Sequence, residues 1–298
     1  RTLMAGRALV LVLIVCLAPG CSVRFAYEHA DRLLVWQAGE YVDLDRAQRA
    51  WLRARMRLFL HWHRTNQLPA WAAALRTFDL AVRDGVRGED LDALVADGER
   101  WADEIVMEIL PTLTELLAAL SDEQIAGLPA AFAERNAELN EDYEGLAPAA
   151  QREIWKEEMR DAVEDWIGRL DARQELLLDA ASTEVVPDNA HWIGYRERWQ
   201  ARLMAALRRR EERDRLAETL RALMTERERF YTEQYAATRT RNDAVYRRFT
   251  IDLLASLDEG QRTRLSRRLT DLAEDFEVLA RRADAEPPAD PGPAPAGR

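Results

Sequence analysis

Apolar side chains recur three or four positions apart through nearly all of the chain after residue 21, which is the spacing of one face of an α-helix. In residues 45–64, one such stripe consists of Ala47, Trp51, Ala54, Leu58 and Trp62, and a neighbouring one of Leu52, Met56, Phe59 and His63. Residues that favour helices dominate the chain, and the alternation typical of β-strands is scarce. The sequence therefore predicts an all-α fold, a multi-helix bundle of long, partly kinked, antiparallel helices.

The amino-terminal segment has the layout of a secretory signal. Arg1 and Arg7 precede an uninterrupted apolar run at residues 8–17, and the small residues 18–20 precede Cys21. The run is shorter than the roughly 20 residues that a membrane-spanning helix needs. A cysteine directly after small residues resembles a bacterial lipobox, which implies that Cys21 carries acyl chains such as palmitate and begins the mature protein. The alternative is an ordinary signal peptide followed by a free cysteine.

The same segment predicts where the protein resides. Ser22 follows the cysteine, and by resemblance to the sorting pattern of enteric bacteria this residue favours the periplasmic side of the outer membrane. No later segment reaches spanning length without a charge, so we expect the lipid to be the membrane attachment. Arg1 is not an initiator residue, and Met4 is the expected start.

Three segments are expected along the chain. A signal peptide occupies residues 1–20, and a single elongated helical domain occupies 21–283, with a possible internal boundary near 184–190. Within that boundary, Val186-Pro187-Asp188-Asn189 is the clearest linker. The Pro/Ala-rich segment 284–298 is expected to be disordered.

Proline positions indicate where helices should break, bend or join. Pro111 is expected to break or kink one helix, and Pro129 and Pro148 to mark further joints. The predicted bundle is partly kinked for this reason.

Charge is distributed unevenly along a chain whose formal net charge is −11. Residues 84–190 carry a net −20, whereas residues 22–83 and 191–282 carry +4 and +5. We interpret this as an acidic layer packed between two basic layers, the alternative being an acidic face for cationic clients. A net-acidic protein is a poor partner for nucleic acid, so none is expected.

A short pattern recurs three times and indicates helix starts. It reads Leu44-Asp45-x-x-Gln48, Leu120-Ser121-x-x-Gln124 and Leu257-Asp258-x-x-Gln261. An Asp or Ser followed three residues later by Gln is the sequence of a capping box, in which each side chain bonds a backbone N–H of the first turn. Each cap should contribute about 1 kcal/mol. Leu146 to Gln151 is a looser fourth copy, and Thr225-x-x-Glu228 predicts a further capping box.

Catalytic frameworks are missing from the sequence. It contains no Gly-x-Gly, no Gly-x-Ser-x-Gly and no His-Glu-x-x-His. Cys16 leaves with the signal and Cys21 is the lipid site, so no thiol remains for catalysis. His61 and His63 lie two residues apart and would point to different faces of a helix. We expect no catalytic residue, no cofactor and no metal site.

Aromatic residues near the start of the domain suggest a ligand groove. Trp36, Tyr41, Trp51, Trp62 and His63 are the candidates, since an aromatic ring with a polar edge suits a wet apolar surface. The alternative, favoured by helical spacing, places most of these rings in the core.

Three carboxylates allow an enzymatic interpretation. Glu40, Asp43 and Asp45 are candidate acid–base groups of an enzyme that acts on envelope glycans or lipids. The alternative is that they cap a helix and solvate a loop.

A block of residues at 27–69 is similar to a known family. It comprises Tyr27, Asp31-Arg32-Leu33-Leu34-x-Trp36, Glu40-Tyr41-Val42-Asp43-Leu44-Asp45-x-x-Gln48-Arg49, His63 and Leu68-Pro69. It resembles an uncharacterised family of all-helical lipoproteins of Gram-negative bacteria, which implies a signal, a lipid-site cysteine and a helical body. The Leu-x-x-x-Gln pattern at residues 120–124 is also similar, more weakly, to the Leu-Thr-x-x-Gln signature of small helical periplasmic chaperones.

These features favour a lipid-anchored, non-enzymatic periplasmic protein that binds an envelope protein, peptidoglycan or an unfolded client, as a chaperone would. The rival hypotheses are the carboxylate enzyme described above and a structural or assembly subunit of an envelope complex. The sequence does not indicate the oligomeric state.

Overall fold

The computed structural model describes residues 23–282 and 288–297, and the signal segment and Cys21 lie outside these residues. In this part of the chain the protein is helical and contains no strand, so the predicted all-α class is confirmed. The helices are α1 Val23–Glu28, α2 Ala30–Gly39, α3 Arg46–Trp62, α4 Leu68–Asp84, α5 Gly88–Ala118, α6 Asp122–Asn140, α7 Pro148–Ile167, α8 Ala172–Glu184, α9 Asn189–Leu207, α10 Arg213–Thr225, α11 Glu233–Ala255 and α12 Glu259–Arg281. A π-helical turn at His63–Gln67 links α3 to α4, and a 3-10 turn at Arg227–Phe230 follows α10.

Two large hydrophobic cores hold the helices together. The first core combines α4, α7, α8, α11 and α12, and α12 packs most extensively against α4. The second core combines α3, α6, α10 and the carboxyl-terminal part of α9. Both cores draw on residues before and after the predicted boundary at 184–190, so this linker does not separate them.

Helix α5 joins the two cores because it is long enough to reach both. Trp101 in its middle is buried in the first core, whereas Leu110 and Leu116 near its end are buried in the second.

The structure excludes a helix break at Pro111 and a helix joint at Pro129. Pro111 lies inside α5 and Pro129 inside α6, and both helices continue through these residues. One lost backbone hydrogen bond is tolerated here because the neighbouring side chains Leu110, Thr112 and Leu128 are buried and hold each helix in place. Pro148, by contrast, lies at the start of α7, where its missing N–H costs little.

The capping box predicted at Thr225 is also wrong. Thr225 is the last residue of α10, and its hydroxyl donates to the Arg221 carbonyl at 2.9 Å. The chain restarts as α11 after the 3-10 turn, and Thr232 is the N-cap, whose hydroxyl accepts a hydrogen bond from the Tyr235 amide at 3.1 Å.

Ion pairs join the acidic middle of the chain to its basic later third. Arg247 pairs with Asp92 at 2.6 Å, Arg210 with Asp122 at 2.7 Å and Arg248 with Glu184 at 2.6 Å. These largely exposed contacts place opposite charges of the two regions side by side at the surface. Within the described residues, no helix combines the length and apolarity needed to cross a bilayer.

Candidate functional site

In the described part of the chain, four capping boxes that use a glutamine mark the starts of α3, α6, α8 and α12. Three of them lie where the recurring pattern places them, with the pairs Asp45 and Gln48, Ser121 and Gln124, and Asp258 and Gln261. The fourth is Asp171 with Gln174, not the looser copy that ends at Gln151. At that looser copy, Ala147 has no side chain able to cap, and Gln151 instead donates to the Leu146 carbonyl at 3.0 Å.

The glutamines of these boxes form two reciprocal pairs. Gln174 and Gln261 donate to each other's side-chain oxygens at 2.7 and 2.8 Å. In the other pair, Gln124 donates to Gln48 at 2.7 Å and Gln48 donates to Gln124 at 3.2 Å. Each pair therefore ties two helix starts that are far apart in sequence, one pair beside each core.

The two pairs differ at the residue that precedes the box leucine. Before Leu257 stands Ser256, and Gln174 Nε2 lies 3.2 Å from its hydroxyl and 3.4 Å from its carbonyl oxygen. Before Leu120 stands Ala119, which has no hydroxyl to offer Gln48. We call the first pair closed, because the Ser256 hydroxyl lies within hydrogen-bonding distance of Gln174. We call the second pair open, because Ala119 offers no hydroxyl to Gln48 at the equivalent position.

Residues 288–297, which we call the Pro-rich segment, lie across this open position. The Gly297 amide donates to the Ala119 carbonyl at 2.7 Å. A methyl group added at Gly297 would collide with Gln124 Oε1 and come within 2.8 Å of Gln48 Nε2. Only glycine fits so closely against the glutamine pair.

The rest of the Pro-rich segment follows α3 away from the pair. Trp51 Nε1 donates to the Gly292 carbonyl at 2.8 Å, and Arg55 Nη1 lies 3.1 Å from Asp290 Oδ1. Gly292 has a φ of +75°, which glycine adopts without strain, and Asp290 Oδ1 accepts a hydrogen bond from its amide at 2.9 Å. Ala294 packs on the second core. The backbone contacts at Gly292 and Gly297, together with the side chains of Asp290 and Ala294, thus place these ten residues against α3 and the second core.

We call the surface beneath this segment the groove, and define it by Gln48, Trp51, Arg55, Ala119 and Gln124. Arg55 is held in place because its Nε donates to Thr112 Oγ1 at 3.3 Å and its guanidinium lies 5.8 Å from the centre of the Trp51 ring. The groove thus presents the indole N–H of Trp51, the guanidinium of Arg55 and the backbone carbonyl of Ala119 to a chain that lies on it. Backbone carbonyls, an acidic side chain and a backbone N–H match these groups.

The aromatic residues proposed from the sequence do not line one groove. Trp51 contacts the Pro-rich segment, but Trp36 is 62% exposed on α2. Tyr41 packs on Phe132, with ring centres 5.9 Å apart. Trp62 stacks on Phe59, also at 5.9 Å.

His63 lies in a separate buried cluster. Its Nδ1 shares a 2.7 Å hydrogen bond with the Tyr27 hydroxyl, and its ring packs edge-on against Trp71. Burial, reinforced by the nearby charge of Arg64, lowers the pKa of His63 to about 4, so the imidazole is neutral at pH 7. Burial also raises the pKa of Tyr27. This pair therefore behaves as a polar contact within the core.

The three candidate carboxylates are either exposed or used as a helix cap. Glu40 is exposed, and Asp43 is exposed and pairs with Arg49 at 2.7 Å. Asp45 accepts hydrogen bonds from the amides of Ala47 and Gln48 as the N-cap of α3. None of them lies in the apolar pocket that a catalytic acid needs.

A small, partly open cavity of about 80 Å³ lies at the Val186–Asn189 linker. Its walls include Trp155, Asp188, Tyr235 and Arg239. Burial raises the pKa of Asp188 even though the charge of Arg239 opposes the shift, and Arg239 also pairs with Asp243 at 3.5 Å. The cavity is too small for a peptide, and its charged groups face one another.

Fold and groove together define an all-helical protein with two glutamine-linked helix pairs, one of which holds an extended segment. A family of unknown function, DUF6279, matches residues 40–236, and the chain belongs to this family. The matched region includes the whole groove and ends before the Pro-rich segment. No curated protein and no solved structure matches the chain.

Proposed function

We propose that the protein is a lipid-anchored, non-enzymatic binding protein of the bacterial cell envelope. In this proposal, Cys21 attaches the protein to the periplasmic side of the outer membrane, and the groove binds extended, proline-rich polypeptide. The single observation that carries this proposal is the Pro-rich segment seated on Gln48, Trp51 and Gln124. The segment acts as an internal stand-in for such a client.

The contacts in the groove suit an extended chain rather than a helix or strand. Trp51 and Ala119 bond backbone groups of the segment, at Gly292 and Gly297, so the contacts are made to the backbone, with glycine needed where the chain approaches the glutamine pair. Prolines at 291, 293 and 295 favour an extended backbone and have no N–H that would need a partner. Aromatic-lined grooves bind proline-rich chains in the same manner because such chains lose little entropy on binding.

The segment is held weakly enough to be displaced. Two backbone hydrogen bonds contribute about 1 kcal/mol each. The Arg55–Asp290 contact adds little, since Asp290 is 66% exposed and surface ion pairs contribute about 0–1 kcal/mol. A client with similar backbone groups can therefore compete for the groove.

The decisive experiment compares residues 22–298 with residues 22–283, which lack the segment. A fluorescent peptide with the sequence of residues 288–298 should bind the shorter protein at micromolar concentration, measured by anisotropy, and bind the longer one at least tenfold more weakly. The shorter protein should also suppress aggregation of a denatured client more effectively.

Two variants of the shorter protein keep this test specific. Trp51→Phe keeps the buried ring but removes the indole N–H, and should weaken peptide binding about fivefold, the loss of about one hydrogen bond. Trp166→Phe, on α7 and outside the groove, should leave binding unchanged. Equal affinity of the peptide for the long and short proteins, or no binding to either, would overturn the proposed function.

A further inference from the structure

An apolar stripe runs along the outward face of α1 and α2. Phe25, His29, Leu33 and Trp36 follow one another at spacings of four, four and three residues, which places them on one side of a helix. Phe25 is 54% exposed, Leu33 53% and Trp36 62%, although α2 contributes Val35 and Ala38 to the second core from its opposite side. Phe25 and His29 pack together, with ring centres 4.5 Å apart. We call these four residues the apolar stripe.

A basic cleft of about 360 Å³ opens beside the stripe. Five arginines line it, namely Arg32, Arg53, Arg57, Arg64 and Arg282, against two acids, Glu28 and Asp31. Both acids already have partners within the cleft, because Asp31 accepts hydrogen bonds from Arg53 and Arg57 at 2.8 and 3.2 Å and Glu28 pairs with Arg282 at 2.8 Å. The cleft therefore carries a net positive charge that its own acids do not cancel.

Arg64 is a cleft arginine with a nitrogen that lacks a hydrogen-bond partner among the described residues. Its Nε is buried and has no hydrogen-bond partner in the described part of the chain, while its guanidinium lies 4.9 Å from the centre of the Tyr27 ring. His29 and His61 also line the cleft. An anion bearing several oxygens, such as a phosphate diester, matches this set of donors.

We propose that the apolar stripe and the basic cleft dock together on the surface of a bilayer that contains anionic phospholipid. Phosphate groups would occupy the cleft, and Phe25, Leu33 and Trp36 would enter the interfacial layer, where amphipathic aromatic side chains are favoured. Charge complementarity supports a lipid surface over an apolar protein partner. The position of α1 in the chain also supports a lipid surface, since α1 begins at Val23, six residues after the apolar run that ends at Leu17.

This inference rests on the proposed envelope location but not on the groove. It makes the anchored protein lie against the bilayer through α1 and α2 instead of hanging from a flexible stem. Because residues 22–298 lack both the apolar run and a lipid, the docking can be measured apart from the anchor.

The test is co-sedimentation of residues 22–298 with vesicles. We expect binding to vesicles of phosphatidylcholine with phosphatidylglycerol, no binding to phosphatidylcholine alone, and weaker binding at high salt. The variant Arg32→Glu/Trp36→Ser changes two exposed residues one turn apart, and should lose at least about tenfold in affinity. Its matched control, Arg173→Glu/Leu176→Ser, makes the same kinds of change on α8, where Leu176 is 68% exposed, and should bind as the parent does.

Three results would overturn the inference. The first is failure of the parent to sediment with anionic vesicles, and the second is an equal loss of affinity in both double variants. The third is saturable binding of inorganic phosphate together with sedimentation that ignores vesicle composition, which would identify a site for free anions. Since the groove residues are unchanged in every variant, peptide binding by the 22–283 form separates failure here from failure of the proposed function.

Discussion

Gln48, Gln124, Gln174 and Gln261 each do two things with one side-chain amide. The oxygen of each accepts a hydrogen bond from the N-cap amide of its own helix, and the same amide group bonds the glutamine of a second helix. Gln48 and Gln174 are fully buried, so a missing partner would leave a desolvated polar group. Such a network stabilises a fold only when it is complete.

Loss of one glutamine should therefore cost more than loss of an ordinary cap. We expect Gln174→Ala to lower the free energy of unfolding by about 2–3 kcal/mol, because a cap is lost and Gln261 loses its buried partner. The double variant Gln174→Ala/Gln261→Ala should cost less than the sum of the two single variants. Urea denaturation of residues 22–298 measures both values. Gln151→Ala, at the looser copy, is the control and should cost less than about 1 kcal/mol; an equal cost at Gln151 would contradict this account.

His63 makes stability depend on pH in the mildly acidic range. Its pKa is about 4 in the folded protein and about 6.5 in an unfolded chain, so the unfolded state binds more protons between these values. Stability should accordingly fall as the pH drops from 6.5 toward 4, by about 2 kcal/mol between pH 7.5 and pH 5.

Denaturation curves across this range test the assignment to His63. His63→Gln should lose most of that slope, whereas His61→Gln, which keeps the buried histidine, should retain it. Asp31 is present in both variants and makes the same contribution to the pH dependence of stability in each. Burial would raise the pKa of Asp31, but the contacts with Arg53 and Arg57 outweigh burial and lower it. An undiminished slope in His63→Gln would show that another group titrates.

At the level of helices, the sequence predicts where a helix begins better than it predicts which other helix that end contacts. A capping box is a local rule of four residues, so Asp45, Ser121 and Asp258 could be placed from spacing alone. The fourth start at Asp171 has the same Leu-Asp-x-x-Gln spacing and obeys the same rule, whereas the looser copy at Leu146 lacks a capping side chain. The pairing of the glutamines depends on tertiary packing and has no signal in a single sequence.

The groove was harder to predict than the helices for a related reason. Helical spacing placed Trp51 on a broad apolar face, but it could not show that Trp36 would remain exposed or that His63 would enter the other core. The Pro-rich segment has the composition of disordered chain, and its position comes from backbone contacts at Gly292 and Gly297 that composition does not encode.

The serine that closes one helix pair predicts how to close the other. In Ala119→Ser, the new hydroxyl should bond Gln48 as Ser256 bonds Gln174, and occupy the space that Gly297 takes. Hydrogen–deuterium exchange within residues 288–297 should then rise at least tenfold. Ser256→Ala is the matched control and should leave exchange in the Pro-rich segment unchanged. Unaltered exchange in Ala119→Ser would show that the open position does not hold the segment.

In the whole molecule, α5 contributes side chains to both hydrophobic cores and so couples them. Trp101 belongs to one core and Leu116 to the other, along one continuous helix. Neither core corresponds to one continuous stretch of chain, which is why a boundary drawn at the linker 184–190 does not divide them. The chain should consequently unfold as one unit.

Two core substitutions test that coupling. Leu178 in the first core and Leu207 in the second are both 0% exposed, and replacement of either by Ala should lower the free energy of unfolding by about 2–5 kcal/mol. Each variant should show a single urea transition, with circular dichroism and tryptophan fluorescence coinciding. Two separated transitions in either variant would show that the cores unfold independently.

We predict that access of an extended chain to a glutamine pair depends on a single oxygen atom, present on Ser256 and missing from Ala119. Placing that atom at position 119 should exclude the Pro-rich segment from the Gln48–Gln124 pair while leaving Trp51, Arg55 and the helices around both pairs intact. A scaffold built this way can lose a docking place through one substitution, without redesign of any helix.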